Sequence, residues 1–375
     1  MTTTETDSRR LRLGTRGSRL ALTQSGQVAE ALIASGGGGA AAAAGKASEG
    51  SGGLSIDLVT VRTDGDGDRT PLRQLGGVGV FAARLRHALL DGEVDLVVHS
   101  FKDLPTQPVE GLEVICVPPR EDPRDALCAR DGLTLADLPE GARVGTGSPR
   151  RAAQLLAARP DLEVVDLRGN VPTRLARVRG LEVVGVGTDE PVAPSRADAA
   201  GDLDAVVLAL SGLRRLGLEH CASEVLDLET MLPAPAQGAL AVEARAGEDC
   251  AELARAVAAL DDEPTRLAVT AERALMARLG AGCAAPVGAW AYLREGSQAP
   301  RVLVLRAVVT SLDGGQEVGC ELSTELPEAS GGPGAPGDTA AVRAAEALGV
   351  RAAEVLLDDG ADQIVDLHAN KPRRH

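Results

Sequence analysis

The 375-residue chain is too long for one domain of ordinary size and suits two or three, each able to bury its own core. Its apolar fraction of 44% comes mainly from Ala, Val and Leu, and Phe81, Phe101, Trp290 and Tyr292 are the only aromatics, which argues against base stacking on rings as a recognition mode. A net charge of −15 would repel nucleic acid and anionic membrane alike, so any anion site must be local.

The opening MTTTETDSRR has no apolar stretch, and nowhere do about 18 apolar residues run together, so the expectation is a chain that stays in the cytoplasm. Six scattered cysteines, Cys116, Cys128, Cys221, Cys250, Cys283 and Cys320, form no C-x-x-C pair and predict reduced thiols. The five histidines show no metal-ligand spacing, and no metal is expected.

In chain order, β-branched runs alternate with helical patterns. Strands are predicted at 11–15, 54–61, 94–100, 112–118, 143–146, 162–167 and 204–210. Leu20, Gln24, Val28 and Leu32, and then Phe81, Leu85 and Leu89, sit three or four apart and predict helices. This is an α/β pattern with largely parallel sheets. The Pro-rich LPAPAQG (232–238) leads to a strand-like ALAVEAR (239–245) that is expected to return the chain to the first sheet. After about residue 260 the order changes to a helix (265–279), strands near 287–293, 302–310 and 317–324, and a helix near 340–357, a small α+β unit. The expected domains are 1–118 with 239–256, 119–232, and 261–375. Gly/Ala/Pro-rich stretches at 35–53, 187–201 and 327–338 are expected to be surface insertions without function.

Four segments share one design, a strand ending in small polar residues beside arginine where a helix begins: GTRGSRLA (14–21), GTGSPRRAAQ (145–154), RGNVPTRL (168–175) and SGLRRLG (211–217). Each aims backbone N–H groups and a guanidinium fork at an anion. A single such segment is more simply a capped helix with solvated arginines. Together, Arg16, Arg150, Arg151, Arg168, Arg174 and Arg215 in an acidic chain point to one ligand with many negative groups. No G-x-x-x-x-G-K-[ST] loop is present and none of the four segments carries a G-x-G-x-x-G turn, so nucleotide phosphates lose their usual cradle, whereas arginine forks suit carboxylates.

VVHSFKDLP (97–105) closes the third predicted strand with Lys102 beside Asp103. Among 39 basic residues only Lys46, Lys102 and Lys371 are lysines, so a compact ammonium here is informative. Asp103 is the catalytic candidate, able to stabilise a cationic intermediate or move a proton. His99 and Ser100 are read as structural or ligand-contacting. The Gly-rich, acidic 62–79 is read as a lid or an idle loop; its Asp64, Asp66 and Asp68 fail the calcium pattern at Arg69 and Leu75. Cys283, in LGAGCAAPVG, sits among small residues that favour an accessible thiol, against the ordinary reading of a lone cysteine as a small core residue.

Nine ordered blocks, LGTRGSRLALTQS, TPLRQLGGVGVF, HSFKDLPT, REDPRDAL, VGTGSPRRAAQL, LRGNVPTRL, LALSGLRRLGL, LPAPAQGALAVE and VTAERALMARLGAGCAAPVGA, resemble the porphobilinogen deaminase family over nearly the whole chain. The resemblance implies two lobes like the halves of a periplasmic binding protein around an anionic cleft, plus a small α+β C-terminal domain. It also implies a monomeric transferase that joins four porphobilinogens head to tail on a dipyrromethane held by Cys283 through a thioether, and releases hydroxymethylbilane. By the same resemblance Asp103 contacts pyrrole N–H groups and stabilises the azafulvene cation left by ammonia. Lys102, Arg16, Ser18, Arg150, Arg151, Arg168, Arg174 and Arg215 match positions that bind acetate and propionate groups. Thr146 and Ser148 match further polar contacts, Phe81 an aromatic near the lid, and Gln237 lies in the return crossing. Where familiar members have lid lysines this chain has Gln74 and Val78, and the three insertions have no counterpart. A non-catalytic two-lobed anion-binding protein is the alternative; it has no need of a third domain with Cys283.

Overall fold

The computed structural model describes residues 10–36, 54–61, 80–183, 201–247, 250–282, 284–294, 300–327 and 339–367. Cys283, the 62–79 segment and all but the ends of the three insertions lie outside the described residues, as does the side chain of Phe81. The elements begin with β1 (Arg10–Thr15), α1 (Arg19–Ser35), β2 (Ser55–Thr60), α2 (Val80–Leu90), β3 (Leu96–Ser100) and β4 (Leu112–Cys116). The chain then crosses to β5 (Asp125–Ala129), β6 (Arg143–Gly145), α3 (Pro149–Ala158), β7 (Glu163–Val165), α4 (Val171–Leu175), β8 (Ala205–Ala209), α5 (Leu210–Arg215) and β9 (Glu224–Val225). It returns through β10 (Leu240–Arg245) and α6 (Ala251–Leu260), and ends in α7 (Glu263–Leu279), β11 (Val287–Arg294), β12 (Val302–Thr310), β13 (Glu317–Glu325), α8 (Thr339–Asp358) and α9 (Ala361–Ile364).

The fold is mixed α/β. One five-stranded sheet has the order β2-β1-β3-β10-β4 and the other β7-β6-β8-β5-β9, so the two share one plan. In each, the fourth strand runs antiparallel to both neighbours: β10 against β3 and β4, and β5 against β8 and β9. Each lobe therefore takes its reversed strand from the chain just after a crossing, so the two lobes share one topology. The expectation of largely parallel sheets holds apart from these two strands.

The cores follow from the periodicities. In α1, Gln24, Ser25, Val28, Ala29 and Leu32 are buried, three or four residues apart, against Leu11, Leu13, Leu96 and Val98. Strand β5 (DALCA) is buried at every position, as a strand covered on both faces must be. In the third unit α7 and α8 cover an antiparallel sheet of order β11-β12-β13. Gly349 is where the two helices nearly touch, since an added Cβ would stand 2.1 Å from the Ala271 carbonyl oxygen.

One buried carboxylate ties the three units together. Glu272 on α7 is fully buried and accepts from Arg120 Nη1 at 2.7 Å and Nη2 at 3.0 Å, from the Ala236 N–H at 2.5 Å and from the Ala291 N–H at 2.7 Å. Arg120 belongs to the outgoing crossing, and its Nε donates to the Gln237 carbonyl oxygen of the return crossing at 2.8 Å. Removing one partner of such a pair leaves the other charge buried and uncompensated, at a cost of about 3 to 5 kcal/mol. Glu272→Ala is therefore expected to lower the urea midpoint markedly; an unchanged midpoint would show that the junction contributes nothing.

Candidate functional site

Strands β1 and β3 are parallel neighbours, so their C-terminal ends open on one edge, and β6, β7 and β8 do the same in the second lobe. Arg16 and Ser18 follow β1, Lys102 and Asp103 follow β3, and the three remaining arginine segments follow β6, β7 and β8. This is where ligands bind in open α/β sheets.

The β3 end is a single helical turn over Phe101–Asp103. Phe101 is buried, its N–H donates to the Ala239 carbonyl oxygen at 3.0 Å, and the Arg273 guanidinium lies 4.5 Å over its ring. Arg273, reaching from α7, also donates to the Leu104 and Pro105 carbonyl oxygens at 2.7 and 2.8 Å. With Phe101 anchored and the following backbone clasped, Asp103 is held exposed beside Lys102. His99 turns away: its Nε2 lies 3.0 Å from Glu243 Oε2, and Glu243 also pairs with Arg86, all in the interior. Ser100 bonds the Gln24 amide at 3.1 Å. His99 is structural, and Ser100 stays half-buried at the strand end.

In the second lobe the β6–α3 turn is built by its own small residues. An added Cβ at Gly147 would stand 2.5 Å from the Leu167 carbonyl oxygen, so only glycine fits there. The Ser148 N–H donates to Thr146 Oγ1 at 3.2 Å, and the Arg151 N–H donates back to Ser148 Oγ at 3.5 Å, capping α3. Thr146 and Ser148 thus set the direction of Arg151. Asn170 caps α4 in the same way, accepting from the Thr173 N–H at 2.9 Å, and Arg174 Nε donates to the Gly169 carbonyl oxygen at 2.8 Å.

The expected open forks of Arg150 and Arg151 are not open. Both turn onto Asp125 at the head of β5: Arg150 Nη2 donates to Oδ2 at 2.7 Å, and Arg151 Nε and Nη2 donate to Oδ1 at 3.0 and 2.7 Å. Arg150 Nη1 also donates to the Leu232 carbonyl oxygen at 2.6 Å, which leaves that side chain sealed at 3% exposure. Burial alone would raise the Asp125 pKa, but the two arginines overcome it and hold the carboxyl far below its ordinary range. Asp125 is the residue that sequence reasoning missed. A buried counter-charge is what a run of arginines at strand ends requires, yet REDPRD looks like a loop and gives no strand signal.

Gln237, fully buried, joins the lobes. Its Nε2 donates to the Pro123 carbonyl oxygen at 2.7 Å and to Asp125 at 2.9 Å, and its Oε1 accepts from Lys102 Nζ at 3.2 Å and from Arg151 Nη2 at 3.4 Å. Arg215 Nη2 donates to the neighbouring Gly238 carbonyl oxygen at 2.6 Å, and burial lowers its pKa. Burial pushes Lys102 down to about 8; Asp103 and Asp125 act upward on it, Arg151 and Arg150 downward. Burial, then Arg151 and Arg168, brings Arg174 down to about 10. Five cations, Lys102, Arg150, Arg151, Arg168 and Arg174, thus stand against Asp103, Asp125 and Asp166. Positive charge this crowded is costly unless an anion with several charged groups completes it, and this donor set fits a dipyrromethane bearing carboxylate side chains.

The fold and site define a two-lobed α/β protein built to hold a polycarboxylate at the meeting of its sheet edges. Residues 11–252 match the family model for the porphobilinogen deaminase dipyromethane cofactor binding domain, and residues 266–358 that for the porphobilinogen deaminase C-terminal domain. The chain belongs to the porphobilinogen deaminase family. It is 51% identical to the Porphobilinogen deaminase of Cutibacterium acnes over 97% of this chain and 99% of that protein. With the Porphobilinogen deaminase of Micrococcus luteus it shares 52% identity over 94% of this chain and 93% of that protein. Among solved structures, a TRAP periplasmic solute binding protein from Roseobacter denitrificans aligns with 68% of this chain and 78% of that chain at 10% identity and a TM-score of 0.32.

Proposed function

We propose that the transferase activity of this family is carried here by Asp103 as catalytic carboxylate and by Cys283 as the attachment point of the primer. The enzyme deaminates porphobilinogen and joins four molecules head to tail on a dipyrromethane, releasing hydroxymethylbilane for tetrapyrrole synthesis. The cofactor supplies the pyrrole terminus from which the product grows. The observation that carries the assignment of Asp103 is the crowding of desolvated cations around Lys102 and Arg174 beside its exposed carboxyl, and Cys283 is assigned on its LGAGCAAPVG block.

In this reading Lys102, Arg168, Arg174 and Arg215 bind carboxylates of the cofactor, Arg151 adds its positive charge from behind with its fork turned onto Asp125, Gln237 and the Val207 carbonyl, and Thr146 and Ser148 are polar contacts. Arg16, Ser18, Arg168, Arg174 and Phe81 meet the substrate. Arg150, sealed against Asp125 and Leu232, acts by bracing Arg151. Loss of ammonia from porphobilinogen spreads positive charge over a pyrrole, and the Asp103 carboxylate, fixed by the clasped turn, stabilises that charge as it develops. The division into residues 1–118 with 239–256, 119–232 and 261–375 follows the sheet memberships, and we assign the enzyme to the cytoplasm as a monomer.

Intact mass of the purified protein tests this reading directly. An adduct of two pyrrole units together with consumption of porphobilinogen is expected. A bare sequence mass in a protein that leaves porphobilinogen untouched would instead favour a non-catalytic two-lobed anion-binding protein.

A further inference from the structure

Apart from the Glu272 junction, the two lobes meet through a bonded set with a second buried carboxylate at its centre. Asp125 has no exposed surface, and its two oxygens accept four hydrogen bonds from Arg150, Arg151 and Gln237. The Gln237 amide has no freedom to turn over. Its Nε2 faces two acceptors, Asp125 and the Pro123 carbonyl, and its Oε1 faces two cationic donors, Lys102 and Arg151. Exchanging oxygen for nitrogen would oppose donors to donors on both sides.

We propose that Asp125 is a positioning residue for the transferase: it locks Gln237 and Arg151 into one orientation, and it supplies the negative charge against which the Lys102 ammonium of the opposite lobe stands among arginines. The inference rests on the reading of Lys102 as a carboxylate-binding residue. Among the described residues, the groups facing Lys102 include Asp103 on its own turn, Arg150 and Arg151 from α3, Asp125 from β5 and the neutral Gln237 from the return crossing. With Asp125 neutral, the nearest fixed charges would be two arginines and an exposed Asp103. The ammonium would then be held less firmly, and its carboxylate-binding power would depend on pH.

The chain suits a direct measurement because it has only three lysines. Trace acetylation of the purified enzyme across a pH series, read peptide by peptide by mass spectrometry, gives the titration midpoint of Lys102, with Lys46 and Lys371 as references that the substitution should leave unchanged. Asp125→Asn is expected to lower the Lys102 midpoint by on the order of one pH unit, the effect of losing a nearby opposite charge. A merely structural role would move it the other way, because a loosened site lets the amine rise toward its ordinary value of about 10.4. An unchanged or raised midpoint overturns the proposal. Should Asp125→Asn not fold, Gln237→Met keeps every charge and removes the amide that links Asp125 to Lys102, its donor to Asp125 and Pro123 as well as its acceptor; it is expected to lower the midpoint, and an unchanged midpoint there overturns the proposal equally. Protection of Lys102 from acetylation by the covalently held cofactor, read by comparing the loaded enzyme with adduct-free Cys283→Ser protein, is scored separately. Its absence alongside an intact midpoint shift would refute Lys102 as a ligand contact and leave the role of Asp125 standing.

Discussion

Cys283→Ser is expected to abolish the covalent adduct entirely, so that the protein emerges at its bare sequence mass and cannot elongate. A thioether forms when a thiolate attacks, and the remaining cysteines are poorly placed to provide one. Cys116, Cys128, Cys221 and Cys250 are buried in the cores. Burial pushes the Cys116 and Cys128 thiols up to about 12 and that of Cys320 up to about 11, so at neutral pH almost none of these three is ionised. Single replacement of each of those five should leave the adduct in place. An adduct retained by Cys283→Ser, or found by peptide mapping on another cysteine, would refute the assignment.

Asp103→Asn is expected to give a folded, primer-loaded enzyme whose turnover falls by at least a factor of about 10² to 10³, the usual consequence of removing one preorganised group that stabilises developing charge. Asparagine keeps the size of the side chain and an acceptor oxygen, and the clasp of Arg273 on the Leu104 and Pro105 carbonyls does not involve the carboxyl. Loading by intact mass and turnover by porphobilinogen consumption therefore separate assembly from chemistry. Near wild-type turnover in a fully loaded variant would place the catalytic group elsewhere.

The strand and helix periods, the late change to an α+β unit and the return of ALAVEAR to the first sheet were legible because each is written locally, in β-branched runs or in residues three and four apart. Strand β5 was not. It begins on the last residue of REDPRD, whose charges and proline have the composition of a loop, and its pairing partners β8 and β9 lie roughly eighty to a hundred residues downstream. The arginines were legible as a set, since six basic side chains at strand ends stand out in an acidic chain. Their partners were not, because sequence shows where a guanidinium sits along the chain but not which carboxylate it faces. Arg150 illustrates this: its position fits a ligand contact, while its bonds to Asp125 and Leu232 turn it inward. Arg273 was missed for the same reason, since its clasp on the turn that carries Asp103 spans 169 residues.

The placement of β10 between β3 and β4 has a consequence for biosynthesis. A nascent chain that has emerged only as far as β4 holds three strands of its first sheet and a fourth that has no neighbour to pair with, because the strand between them is encoded more than a hundred residues later. The second lobe, by contrast, has all five of its strands between residues 125 and 225 and can close while the first is still waiting. Until residue 245 leaves the ribosome, β3 and β4 both present open edges, the kind of surface that recruits holdase chaperones or a neighbouring polypeptide. The C-terminal half of this protein therefore completes its N-terminal half, and a message truncated before β10 yields an aggregation-prone fragment instead of a stable lobe.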